Sequence, residues 1–248
     1  MMTSVDLNCD IGEGCGNDAE LMRHITSANI ACGFHAGDEA TMRRTVELAL
    51  ENSVAIGANP GYRDRENFGR TEMALSFGEI YDDVIDQILA LRNICNTLGG
   101  RLHHVKPHGA LYNQAAREPE IARAIAEAIR AIDPTLVLYG LSGSHLISEA
   151  EKVGLKTASE VFADRTYQDD GTLTPRSQPN ALITETETSL TQVLDMVKYG
   201  RVRSTEATMV AIKAETICIH GDGPNAVSFA KLICERLTSE SIRISHPG

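Results

Sequence analysis

Short apolar runs punctuate the chain at Val5 to Cys9, Ala28 to Cys32, Val54 to Ala58, Leu102 to Val105, Leu136 to Tyr139, Lys156 to Val161 and Thr216 to His220, with an eighth candidate at Ile242 to Ile244. Their length and β-branched content predict strands, and the intervals between them carry helical periodicity. Asp38 reads as the N-cap of a helix running to about Asn52, and Ser76-Phe77-Gly78-Glu79 forms a capping box whose helix stops at Gly99 and Gly100. Ile121, Ile125, Ile129 and Ile132 form an apolar stripe suited to packing on a sheet. Regular alternation of strand and helix predicts a parallel β/α architecture: a single-domain, irregular (β/α) TIM-like barrel of seven or eight parallel strands spanning residues 1–248.

Six of the runs end in polar clusters: Asn8, Asp10 and Glu13; Cys32, His35 and Asp38; Asn59 and Tyr62; Lys106 and His108; Glu160, Asp164 and Arg165; His220 and Asp222. In a parallel barrel the loops after the strands converge on one rim, so these clusters predict one polar pocket and an enzyme. Two stretches, 59–75 and 163–180, are long for loops inside a compact domain and follow strands, which suits binding loops or lids. No repeat, low-complexity tract or linker divides the chain.

With 248 residues and 42% hydrophobic content, the chain is long enough for one large core. A net charge of −11, from 34 acidic and 23 basic residues, argues against nucleic acid and anionic membranes as partners. No apolar stretch reaches the ~20 residues of a membrane span, and the N-terminus is too polar for a signal peptide, so a soluble, cytoplasmic protein is expected. The six cysteines form no CxxC pair and predict reduced thiols rather than a zinc site or disulfides. Cys32, close to His35, is a candidate nucleophile in principle, but a buried thiol is the better reading.

Five blocks carry a family resemblance: Asp6-Leu7-Asn8-Cys9-Asp10-Ile11-Gly12-Glu13, the stretch Asn29 to Asp38, Val105 to Asn113, Glu160 to Arg165, and Ile219-His220-Gly221-Asp222. In this order and over nearly the whole chain they resemble the signature of the LamB/YcsF family, the A subunits of 5-oxoprolinase. The resemblance implies a fold related to the glycoside hydrolase and deacetylase barrels. It also implies ATP-dependent opening of the small-molecule lactam 5-oxoproline to glutamate together with partner subunits B and C. One position departs: Gly57-Ala58-Asn59-Pro60 stands where the family usually has Gly-Ala-His-Pro. A histidine in such a loop of the related deacetylases is a metal ligand, and an amide is a far weaker one, so the departure weakens any metal proposal and leaves open a paralogue with altered substrate or an active enzyme in which Asn59 only hydrogen-bonds the substrate.

Opening an unactivated lactam requires a base for water, a donor for the developing oxyanion and help for the nitrogen leaving group. Asp10 and Glu13 are candidates for the base, with Asp10 preferred, and the alternative role for Asp10 is to bind backbone N–H groups ahead of the next helix. His35 and His108, with His220, end different strands and suit acid/base or substrate-binding roles better than metal ligation, since no HxH or HxxxH spacing occurs. Whether a divalent metal is bound is left open. Lys106 and Arg165 suit the carboxylate and phosphate of a phosphorylated intermediate. Asn8, Asn59, Tyr62, Glu160, Asp164, Arg165, His220 and Asp222 complete the candidate substrate-binding set. Asp222 beside the glycine turn and the lack of GxxxxGK[ST] place ATP on a partner protein. His103 and His104, inside a strand, read as structural. Two other readings stay open: a free-standing metal-dependent amidohydrolase or deacetylase, and a non-catalytic assembly component. The sequence leaves self-association undetermined.

Overall fold

The computed structural model describes residues 4–220 and 226–248. The elements run β1 (Ser4–Ile11), α1 (Asp18–Leu21), β2 (Ser27–Ala31), α2 (Glu39–Glu51), β3 (Ala55–Asn59) and α3 (Phe77–Thr97). There follow β4 (Leu102–Val105), α4 (Gly109–Arg117), α5 (Pro119–Ile132), β5 (Val137–Leu141), α6 (His145–Lys152) and β6 (Lys156–Phe162). The chain closes with α7 (Thr186–Tyr199), a hairpin of β7 (Arg201–Arg203) and β8 (Met209–Ala211), then β9 (Thr216–His220), α8 (Ala226–Ser239) and β10 (Arg243–Ile244).

Strands β1 to β6 and β9 pair in parallel in sequence order, and β1 pairs β9 to close the barrel. The short β10 lies parallel to the first residues of β1, Ser4 opposite Arg243. The predicted alternation is therefore borne out, with seven closing strands and one accessory strand. The helix signals hold as well. Asp38 caps α2 by accepting from the Thr41 N–H at 2.7 Å, and Ser76 and Glu79 form both halves of the capping box of α3. The isoleucine stripe lies on α5, where Ile121, Ile125 and Ile129 are buried. Helix α7 and the β7–β8 hairpin carry weaker signals. The hairpin strands have three residues each, and β7 buries only Val202 between two exposed arginines, too little for a period-2 pattern to register.

The capping carboxylates tie stability to pH. Asp38 and Glu79 have folded-state pKa values below their ordinary ones, chiefly through the hydrogen bonds to Thr41 and Ser76. Their contribution is complete above the ordinary carboxylate range, about pH 4, and is lost as pH falls through the depressed values. Thermal melts should show this fall, and Glu79→Gln should flatten it. An equal acid sensitivity in the variant would contradict the assignment.

Within the barrel, both faces of each strand are buried, and β1 shows the consequence. Leu7, Cys9 and Ile11 face the helices, while Asp6, Asn8 and Asp10 share the interior with polar groups from other strands. A parallel barrel ordinarily fills that space with branched apolar side chains. Here Asp6 accepts from the hydroxyls of Thr26, Ser27 and Thr216 at 2.6, 2.8 and 2.6 Å, forming the lowest polar layer. His104, one layer up, stacks on Tyr139 with centroids 4.1 Å apart and bonds Asn29 Oδ1 at 2.8 Å. It is buried and held neutral, its pKa far below the usual value because burial disfavours the imidazolium. His104 thus points inward and His103 outward, as strand alternation requires.

Gly57 on β3 is where this layer is tightest, because a Cβ there would fall on the His104 ring. Gly57→Ala should therefore destabilise the barrel by about 1–3 kcal/mol, the usual cost of overpacking. Urea denaturation checks this, and a midpoint equal to wild type would refute the close approach.

Candidate active site

The uppermost interior layer is an ion-pair chain. Lys106, the residue after β4, places its Nζ 2.8 Å from Asp10 Oδ1 and 2.9 Å from Glu160 Oε1. The same nitrogen lies 3.3 Å from Asn8 Oδ1 and 3.0 Å from Cys218 Sγ. Asn8 donates to Glu160 Oε1 at 2.9 Å, and Asn29 donates to Asp10 Oδ1 at 2.9 Å, so the carboxylates are fixed from below. All of these side chains are buried. Burial alone would lower the Lys106 pKa, but Asp10 and Glu160 outweigh it and hold the ammonium charged. Burial raises Glu160, with Asp10 adding to the rise and Lys106 opposing it. Burial likewise keeps Cys218 a neutral thiol.

Two imidazoles flank this chain. His35 and His108 stack face to face, centroids 3.9 Å apart and planes within 5°. His108 Nε2 lies 3.1 Å from the Phe68 carbonyl, which only accepts, so Nε2 carries the hydrogen. Its Nδ1 faces Asp10 Oδ2 at 3.3 Å and Glu13 Oε1 at 3.6 Å. His35 Nε2 is 3.8 Å from the same Glu13 oxygen, beyond hydrogen-bond range. Gly61 and Gly69 press on His35: a Cβ would come within 2.7 Å of its Nδ1 and 2.8 Å of its Cβ, respectively. Burial lowers the His35 pKa to about 4, with Arg65 and Arg70 adding to the effect against Asp10. Burial and the stacked His35 also lower His108.

A cavity of about 560 Å³ opens over these groups and is floored by Asp10, Lys106, His108, Tyr112 and Phe162. Its wall comes from the two long loops and α4. Five cationic side chains line it (Lys106, Arg70, Arg117, Arg165 and Arg176), against three acidic ones (Asp10, Glu72 and Asp170). The wall of the pocket thus reverses the sign of a chain whose net charge is −11. On the floor, the buried Tyr112 hydroxyl stands beside Glu160 and favours its charged form, opposing the effect of burial.

The candidates read from the sequence separate into groups. Asp10, Glu13, His35, Lys106 and His108 come together, with Asn8 and Glu160 beneath them. Asp10 faces Lys106, Asn29 and His108, and in the turn after β1 Asp18 accepts from the Gly12 N–H at 3.0 Å. Arg165 lines the cavity but holds the loop over it, donating to the carbonyls of Thr174 at 2.6 Å and Ala181 at 3.2 Å. Asn59 is buried below the rim and donates to the Lys106 carbonyl at 2.9 Å. Tyr62 lies apart, its hydroxyl donating to Gln114 Oε1 at 2.8 Å, and Asp164 is not on the cavity wall. For His220 the structure gives its strand position, opposite Asp10, and Asp222 lies outside the described residues. Cys32 is a buried thiol with its pKa pushed up to about 12 by burial, which suits packing rather than nucleophilic attack.

Sequence reasoning passed over Asp6, Asn29, Tyr112 and Cys218. Asp6 was legible, because Asp6-Leu7-Asn8-Cys9-Asp10 alternates strictly and its three polar positions must share one face. Tyr112, on a helix beyond the rim, had no such pattern.

A closed parallel barrel with a buried ion-pair chain and a cation-lined cavity at the C-terminal ends of its strands defines a β/α-barrel enzyme scaffold. The chain belongs to the LamB/YcsF family, whose pattern it matches over residues 5–247. It is 56% identical to the 5-oxoprolinase A subunit of Brevibacillus brevis, the match covering 98% of each chain. The 5-oxoprolinase A subunit of Geobacillus kaustophilus is 54% identical, over 99% of this chain and 98% of its own. Among solved structures, a lactam utilization protein from Thermus thermophilus superposes with a TM-score of 0.92 at 44% identity, over 98% of this chain and all of its own. The peptidoglycan deacetylase PdaC of Bacillus subtilis, at 12% identity and a TM-score of 0.52 over 99% of this chain and 88% of its own, shares the fold alone.

Proposed function

We propose that this chain is the lactam-opening A subunit of an ATP-dependent 5-oxoprolinase, acting with subunits B and C in the cytoplasm. The observation that carries the reading is the buried Asp10–Lys106–Glu160 chain under a cation-lined cavity. The pocket suits a small anion whose ring carbonyl must gain charge during reaction. The names of the full-length relatives supply the lactam.

In the net reaction, 5-oxoproline, ATP and two waters give glutamate, ADP and phosphate. A water adds to the carbonyl carbon, the ring C–N bond breaks, and the nitrogen leaves with a proton. Asp10 is the base toward that water: it stands at the cavity floor, held by Asn29 and Lys106. Lys106 stays protonated and meets the oxyanion or a phosphoryl group placed there by the partner subunits. Arg70, Arg117 and Arg176 line the wall where the substrate carboxylate would be met. ATP binds outside this chain, which has no phosphate-cradling glycine loop of the GxxxxGK[ST] type.

Cells lacking this chain should fail to grow on 5-oxoproline as nitrogen source, and a wild-type copy should restore growth where an Asp10→Asn copy does not. Undiminished growth of the deletion strain would contradict the reading.

A further inference from the structure

The two stacked imidazoles pose an electrostatic problem that the described side chains leave unsolved. Donation from Nε2 to the Phe68 carbonyl leaves Nδ1 of a neutral His108 as a bare lone pair, aimed at carboxylate oxygens of Asp10 and Glu13 3.3 and 3.6 Å away. A lone pair facing two anionic oxygens is repulsive unless something positive lies between them. His35 presents the same problem: it is 1% exposed, yet neither ring nitrogen has a hydrogen-bond partner among the described residues. A buried, unpartnered imidazole held by flanking glycines is a costly arrangement unless a ligand completes it.

We infer that Glu13, His35 and His108 form a binding site for one divalent transition-metal ion, with Asp10 at its border. One donor atom from each of the three lies within 4.8 Å of the others. Tetrahedral ligands at zinc-type bond lengths stand about 3.3 Å apart, close to the 3.6 and 3.8 Å separations from Glu13 Oε1, and the two rings, parallel in this structure, must tilt out of their stack for both lone pairs to meet the ion. Two imidazoles and one carboxylate select a borderline ion such as Zn²⁺ or Co²⁺ over Ca²⁺ or Mg²⁺, which prefer all-oxygen shells. The carbonyl of Phe68 supplies the outer support typical of a ligating histidine, accepting the hydrogen of the nitrogen that does not bind metal. Such an ion supplies Lewis-acid charge at the edge of the cavity where His108 and Asp10 line it. The three donors do not include Asn59, whose side-chain nitrogen is committed to the Lys106 carbonyl. The inference stands on donor geometry and does not depend on the identity of the lactam.

The test uses the full chain, stripped with chelator and titrated with Co²⁺, with Zn²⁺ as competitor. Expected is one Co²⁺ per chain with visible d–d absorption, bleached by Zn²⁺, and a rise in melting temperature on Zn²⁺ addition. His35→Ala and Glu13→Gln, each shown folded by circular dichroism, should weaken binding at least ~100-fold, whereas His246→Ala, remote from the site, should leave it unchanged. Absence of saturable Co²⁺ binding by the folded chain, or equal affinity in the His35 and Glu13 variants, would overturn the assignment. Because the readouts are absorption, stoichiometry and melting, they are decided separately from any measurement of 5-oxoproline turnover.

Discussion

Lys106→Met is expected to abolish glutamate formation and, in the same step, to destabilise the barrel by about 3–5 kcal/mol, the usual cost of removing one partner from a buried ion pair. The size of the effect follows from the surroundings. Lys106 is 2% exposed, and its ammonium is the cation between the carboxylates of Asp10 and Glu160. Without it, two buried acids face each other, and at least one must take up a proton or admit water. Adding Glu160→Gln should therefore restore much of the lost stability while leaving activity absent, since the amide removes the second uncompensated charge. Chemical denaturation of the two variants checks this. A Lys106→Met chain as stable as wild type, or a double variant no better than the single one, would show that the ion-pair chain does not bear on stability as described.

The second large effect concerns chemistry without stability. Asp10→Asn should lower turnover by about 10²–10⁴-fold, the range associated with loss of a general base. The fold should survive, because the amide oxygen can still accept from Asn29 and Lys106, and the amide nitrogen can donate to His108 Nδ1. The loss should appear in kcat, with the melting temperature, assembly with partner subunits and binding of 5-oxoproline retained. If kcat were kept and only KM rose, Asp10 would be a binding group rather than the base.

Much of the fold was legible because its signals are local. Capping residues such as Asp38 and Ser76 act within a single turn, and the parallel strands announce themselves by runs buried on both faces. The convergence of strand-end residues followed from the barrel topology, so Asp10, His35, Lys106 and His108 could be named together before their contacts were visible. What stayed hidden depends on contacts between residues distant in the chain. The orientation of Glu160 into the barrel, 152 positions from its partner Asn8, separates it from Asp164 and Arg165, which follow it closely in sequence. Tyr62 follows a strand like its neighbours in the candidate set, yet Gln114 draws its hydroxyl away from the cavity. The Glu13–His35–His108 cluster has no sequence spacing of its own, since its members come from three separate loops.

The most direct test of the central claim is glutamate release from 5-oxoproline and ATP by this chain, its partner subunits B and C, and all three combined. Product is expected only in the full mixture, and none when the wild-type chain is replaced by Asp10→Asn. Glutamate formed at an undiminished rate by the partner subunits alone would contradict the claim, because the lactam would then be opened outside the pocket described here.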